Sequence, residues 1–136
     1  MRVADVMTAD VQVASPSDTV AQVARRMSEI DSGVIPVCEG DRVVGLITDR
    51  DIVIRVVGED RDNEIPVSDV MTTSLETCRT DEKLKDATKR MADLQIRRLL
   101  VLDEGGKLAG VLSLGDVARE HSARAVGEAL EDISED

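Results

Sequence analysis

Apolar residues recur along the chain at two spacings. Between Ser15 and Ile30, the positions Val20, Val23, Met27 and Ile30 fall at i, i+3, i+7 and i+10, one face of an α-helix. Ser15 is the expected N-cap of that helix, with Pro16 at its first position and Asp18 in its first turn. Two short apolar runs of strand type follow, "GVIPVC" at 33–38 and "VVGLIT" at 43–48, separated by the turn signal "EGDR". A second helix opens at "DRDIVIRVV". The succession then returns: helix in "DEKLKDATKRMADL", strand in "RRLLVL", turn in "EGGK", strand in "KLAGVLS", helix in "LGDVAREH". A short strand is expected ahead of each first helix, at "VQVA" and "LETC".

The return is an internal duplication. "VADVMT" at 3–8 reappears as "VSDVMT" at 67–72, so that Asp5 and Asp69 stand 64 residues apart. Val20, Val23, Met27 and Ile30 map onto Leu84, Ala87, Met91 and Leu94. The expected fold is α+β: tandem β-α-β-β-α repeats related by a pseudo-two-fold axis and packed through their sheets. One repeat of about 60 residues buries too little surface to stand alone, so the two copies are expected to share a core. Such symmetry creates two equivalent clefts between the halves. The expected domains are residues 1–62 and 63–121, with 122–136 as an acidic C-terminal helix or tail. The polar stretch "GEDRDNEIP" at 58–66 is the connection.

Composition narrows the function classes. A formal net charge of −11 opposes nucleic-acid binding, which draws its affinity from Lys and Arg against phosphates. No apolar run is long enough to span a membrane and no signal segment opens the chain, so the protein is expected to be cytoplasmic. Six acids against Arg124 in residues 120–136 read as a solvated tail face, or as an electrostatic docking element. Within it Val126, Leu130 and Ile133 share a helical stripe that packs on its own module or meets a partner, and Gly127 weakens that helix. Cys38 and Cys78 show no metal-ligand spacing and read as buried thiols. Phe, Tyr and Trp are absent, so the core is aliphatic and any planar ligand is gripped by aliphatic side chains. Met7 and Met71 read as core filling. His121, the single histidine, is expected near a helix end and has no catalytic partner. No nucleophile–base pair, Walker loop or dinucleotide fingerprint occurs, so no enzyme and no catalytic cofactor is expected.

One motif carries candidate chemistry. "GLITDRD" at 45–51 and "GVLSLGD" at 110–116 both run glycine, two apolar residues, a hydroxyl, two free positions and an aspartate. Thr48 with Asp51, and Ser113 with Asp116, fit a helix capping box. They equally fit a ligand seat. A strand ending at a helix start presents unpaired N–H groups to phosphate, a carboxylate one turn on can accept from both hydroxyls of a ribose, and the hydroxyl can donate to a phosphate oxygen. Arg50, Arg55 and Arg119 read as salt-bridge residues, with Arg119 three positions after Asp116.

The tandem "DVMT … GVIPV … VVGLITDRD" and "DVMT … RRLLVLD … LAGVLSLGD" resembles a pair of CBS domains, a Bateman module, over roughly residues 3–121. "ITDRDIVIR" is similar to stand-alone two-CBS bacterial proteins of the hypoxic-response type. The resemblance implies sensing of AMP, ADP, ATP or an S-adenosyl compound, and association as a flat homodimer that an effector protein reads. It places ribose recognition on Asp51 with Thr48 and on Asp116 with Ser113. It places the adenine walls on Val34, Ile35 and Pro36, and on Leu99 and Leu100. Arg97 and Arg98 stand where the nucleotide-sensing subunit of AMP-activated kinase meets phosphates, whereas the first copy has Gly33 and Val34 there, so unequal sites are implied. The rival reading is a ligand-free structural or interaction dimer whose motifs are only caps.

Overall fold

The computed structural model describes residues 1–135, with side chains through Gly127. The chain forms two compact units. One holds Asp10–Glu76 with Gly106–Leu108; the other holds Met1–Ala9, Thr77–Gly105 and the chain from Ala109 onward.

In the unit of the first repeat, helix α1 (Val20–Ile30) buries Val20, Val23 and Met27, the face anticipated from their spacing. Its cap differs from the expected one. Thr19, not Ser15, is the N-cap: its hydroxyl accepts from the Gln22 N–H at 3.1 Å, and the Gln22 side chain accepts from the Thr19 N–H at 2.9 Å. Ser15 and Asp18 close a turn of their own, with the Ser15 N–H on the Asp18 carboxylate at 2.9 Å. Two capping signatures lie four residues apart, and the one adjoining the first buried valine starts the helix. Strands β1 (Val34–Glu39) and β2 (Arg42–Thr48) pair antiparallel across a two-residue turn, in which Gly40 takes φ +59°. The chain then enters α2 (Asp49–Ile52), which continues as a π-helical turn over Val53–Val57.

The expected strand at "VQVA" shrinks to a single parallel bridge between Ala14 and Val37. Ala14 donates to the Pro36 carbonyl at 2.9 Å and accepts from Cys38 at 2.8 Å. Extending this ladder toward Gln12 needs an N–H at position 36, and proline has none. In the second repeat Leu100 occupies that place, and β3 (Thr77–Arg79) pairs over its full length with β4 (Arg98–Leu102). Strand β5 (Leu108–Ser113) completes the order β3-β4-β5. Helix α3 (Leu84–Leu94) buries Ala87 and Met91 against this sheet's core. Helix α4 runs from Leu114 to Glu135 without interruption, so Gly127 does not break it and His121 lies within the helix, not near its end. Leu130 and Ile133 lie outside the described side chains, while Val126 is 59% exposed and therefore not packed on its unit.

The two "DVMT" segments each serve the opposite repeat. Val3 is fully buried in the core of the second-repeat unit with Cys78, Met91, Leu99 and Leu112, and Met7 packs at its margin. Val67 and Val70 sit in the core of the first-repeat unit, with Met71 at its margin. Backbone bonds repeat the exchange. Thr8 and Val111 trade two bonds at 2.9 and 3.0 Å, and Thr72 and Leu46 trade two at 2.8 and 2.9 Å.

This close approach explains the glycine that opens each motif. A Cβ at Gly110 would overlap the Thr8 carbonyl oxygen, and one at Gly45 would overlap the Met71 thioether. The first obstacle is backbone and the second a flexible side chain. Gly110→Ala is therefore expected to destabilise the protein by about 1–3 kcal/mol, and Gly45→Ala by less, in urea unfolding of each variant. In Gly110→Ala, hydrogen exchange should quicken at Val3–Thr8 and not at Val67–Thr72.

Candidate functional site

Each repeat builds the same buried carboxylate. Asp51 and Asp116 are only 8% and 9% exposed, the two buried charged residues among those described. In the first repeat, the Thr48 hydroxyl accepts from the Asp51 N–H at 3.1 Å and the Asp51 carboxylate accepts from the Thr48 N–H at 3.0 Å. In the second, the Ser113 hydroxyl accepts from the Asp116 N–H at 3.0 Å and the Asp116 carboxylate accepts from the Ser113 N–H at 3.1 Å. Both capping boxes are formed.

The caps do not account for the whole arrangement. The Thr72 hydroxyl donates to the Asp51 carboxylate, 3.1 and 3.3 Å from its two oxygens. The Thr8 hydroxyl stands 3.4 Å from both oxygens of Asp116. These threonines end the two exchanged segments, so each carboxylate is met by the segment that begins the other repeat. An arginine completes each cluster. Arg119 binds Asp116 at 2.5 Å. Arg55 stands 3.9 Å from Asp51 and donates to the carbonyls of Val70 and Met71 at 3.0 and 3.2 Å, tying the segment down. Thr8 and Thr72 were not singled out as site residues from sequence. The signal was the identical "VMT" in both copies, which reads for its apolar residues, as core or as a wall for a planar ligand, and not for its hydroxyl.

A carboxylate has about four acceptor positions and a hydroxyl one donor. Asp51 and Asp116 each retain acceptor capacity beyond the cap and the threonine. The protons of Thr48 and Ser113 are not used by the caps, where these oxygens only accept.

The remaining candidates divide by strand alternation. Ile35 and Leu99 turn into the cores of their own units, with 0% and 1% exposure. Pro36 and Leu100 are buried outside those core clusters, on the opposite faces of β1 and β4. Arg97 and Arg98 are exposed at the start of β4, and the Arg97 carbonyl accepts from Leu114 at 2.9 Å. In the first repeat Gly33 takes the place of Arg97 and its carbonyl accepts from Asp49 at 2.9 Å. A side chain at 33 would collide with the Asp49 carboxylate. The first repeat thus presents an anion where the second presents cations. Among the described residues no cluster of three or more His, Cys, Asp or Glu could hold a metal ion, and no helix is long and apolar enough to cross a membrane.

The family model for the CBS domain matches twice, at residues 3–58 and 67–123. The chain belongs to the CBS-domain family. It is 41% identical to the CBS domain-containing protein YhcV of Bacillus subtilis (strain 168), over 97% of this chain and 94% of that protein. It is 30% identical to Hypoxic response protein 1 of Mycobacterium tuberculosis, over 90% and 86% of the two chains. Among solved structures, CBSX2 in complex with AMP superposes with a TM-score of 0.79 at 28% identity, covering 91% of this chain and 98% of that one. The protein is thus an α+β CBS pair. Its family match resumes at Val67, whereas the compact units change over near Ala9 and Glu76, because each repeat lends its opening segment to the other.

Both cysteines of the CBS pair are free and buried. Burial raises the Cys38 thiol. Burial first, and the nearby Glu82 second, push Cys78 up to about 11, against a smaller lowering by Arg90. Both thiols are protonated at neutral pH and gain thiolate only as pH rises. At pH 8, Cys78 is expected to react with iodoacetamide about a hundredfold more slowly than a thiol of ordinary pKa, with the difference abolished in urea. Thr72→Val should cost about 1.5–3 kcal/mol in chemical unfolding, the usual worth of a hydrogen bond to a charged group.

Proposed function

We propose that this CBS pair is a regulatory module, not an enzyme, that binds an adenosyl ligand, AMP, ADP, ATP or an S-adenosyl compound, through Asp116 with Ser113 and Asp51 with Thr48. The observation that carries the reading is the buried carboxylate of each repeat, held rigidly by a cap, a threonine and an arginine while acceptor positions remain. That is the group a ribose diol requires. Pro36 and Leu100 supply aliphatic surface for the purine, and Val34 extends it. The AMP complex of CBSX2, a similar CBS pair, supports the choice of ligand class.

The two sites are unequal in this reading. Arg97 and Arg98 favour phosphate at the second repeat, and the Asp49 carboxylate beside Gly33 opposes it at the first. Ligand binding shifts the balance between states of a homodimer, and an effector protein reads the shift. Such a shift needs different ligand affinities in the two states. The exposed apolar residues Val53, Ile54 and Val57 support a homodimer. A second reading, a ligand-free scaffold, is favoured by one observation: each motif forms a complete capping box, a structural role that suffices to explain its residues.

Asp116→Asn separates the two. The amide oxygen can still accept from the Ser113 N–H, so the cap survives, but one acceptor of the ribose pair becomes a donor. In equilibrium dialysis with AMP, ATP and S-adenosylmethionine, the natural protein should bind at least one of the three. Asp116→Asn should weaken that binding about 10- to 100-fold, the worth of a hydrogen bond to a charged group, and Asp51→Asn by less. The absence of aromatic residues makes a 260 nm absorbance band of the purified protein a direct sign of carried nucleotide. No binding of any of the three ligands by the natural protein would leave the scaffold.

A further inference from the structure

The second-repeat unit has a groove of about 680 Å³ between α3, α4 and the chain's first residues. Its floor includes Leu84, Ala92 and Val117. Around that floor stand Arg2, Lys83, Lys85, Lys89 and Arg124, and the single acid in the lining is Glu120. Such a concentration of cations is unusual in a chain of net charge −11. The fold does not require it. The corresponding positions of the first repeat, displaced by 64 residues in α3 and by 65 after the longer turn, are Thr19 for Lys83, Ala21 for Lys85, Arg25 for Lys89 and Glu59 for Arg124. Among the described residues, Lys83, Lys85, Lys89 and Arg124 have no ion-pair partner.

The complement lies in the same sequence. Residues 128–136 carry Glu128, Glu131, Asp132, Glu135 and Asp136 with no Lys or Arg, and they include Leu130 and Ile133. Glu128 stands one helical turn from Arg124, and the residues after it run on along α4 past the chain's own groove. Helix α4 is continuous to Glu135, which at 1.5 Å per residue sets its end roughly 16 Å beyond Arg124. Val126, the apolar residue just ahead of the acids, is left 59% exposed.

We propose that the acidic segment 128–136 of one copy docks in the basic groove of a second copy, its leucine and isoleucine on the apolar floor and its carboxylates against Lys83, Lys85, Lys89 and Arg124. Two tails entering two grooves form an isologous contact that closes on itself. Charges at an open groove are screened by salt, so the contact weakens as ionic strength rises. The proposal is independent of ligand binding. It adds a named contact to the homodimer inferred above.

Zero-length carbodiimide cross-linking tests it, on an equimolar mixture of unlabelled and nitrogen-15-labelled full-length protein read by mass spectrometry. The expected result is mixed-label peptides joining Lys83, Lys85 or Lys89 to carboxylates of residues 128–136, reduced severalfold in high salt. A chain ending at Gly127 keeps the groove and loses the tail, and Lys85→Glu/Lys89→Glu keeps the tail and loses the groove. Mixed together, these two chains should give cross-links from Lys83 of the shortened chain to the tail of the variant, and neither should give them alone. Hydrogen exchange of α3 verifies that each remains folded. Cross-links confined to single-label peptides would assign the tail to its own groove and overturn the proposal. So would a dimer in sedimentation that gives no mixed-label product, although the homodimer itself would stand. A monomer throughout would overturn both.

Discussion

A carboxylate taken out of water must find donors for its oxygens, and in this protein the donors come from three places in the chain. Asp51 and Asp116 each satisfy the backbone N–H of a capping hydroxyl residue, the hydroxyl of a distant threonine and an arginine within one turn. Uncompensated burial of such a group is expensive enough that the partners and the carboxylate stand or fall together. The exchanged segments end at these aspartates because Thr8 and Thr72 supply the last donors. The glycines at 45 and 110 admit those segments. A network built to hold the fold therefore also presents two oriented carboxylates with acceptor capacity to spare, and the capping and binding readings of the motif describe one object.

Duplication supplies the same frame twice, and the differences between copies show what the frame leaves free. Pro36 truncates a parallel ladder that Leu100 allows. Gly33 makes room for an aspartate where Arg97 and Arg98 stand in the other copy. Thr19 and Ala21 become Lys83 and Lys85. Cations thus gather on the second repeat, at the start of β4 and around the groove, while the chain as a whole is strongly acidic. The polarity between the halves lies in local electrostatics laid over a common backbone.

Periodicity placed the features of the fold that depend on short-range rules. The 3.6-residue spacing of Val20, Val23 and Met27 in α1, and of Ala87 and Met91 in α3, marked the buried faces, but Leu94, on the same stripe of α3, is left 45% exposed at the helix end. The strands of 33–48 and 97–113 and their turns were legible from apolar runs and glycine. The Thr48–Asp51 and Ser113–Asp116 pairs were legible because capping is local, spanning three residues. Helix starts were less so: Ser15 and Thr19 both carry capping chemistry, and the choice between them was made by the burial of Val20.

What the sequence determined, then, was everything governed by neighbours in the chain: the duplication, the element types, the capping pairs, the aliphatic core and the sign of the charge. What tertiary structure decided was which copy each segment belongs to. "VADVMT" and "VSDVMT" are near-identical, so either could have packed on its own repeat or on the other without any change in pattern. The choice rests on contacts 88 to 108 residues apart, Val3 within the core of Met91 and Leu99, and Thr8 on Asp116. Burial and hydrogen bonding at such separations depend on how surfaces fit in three dimensions, and a one-dimensional repeat is silent on that fit.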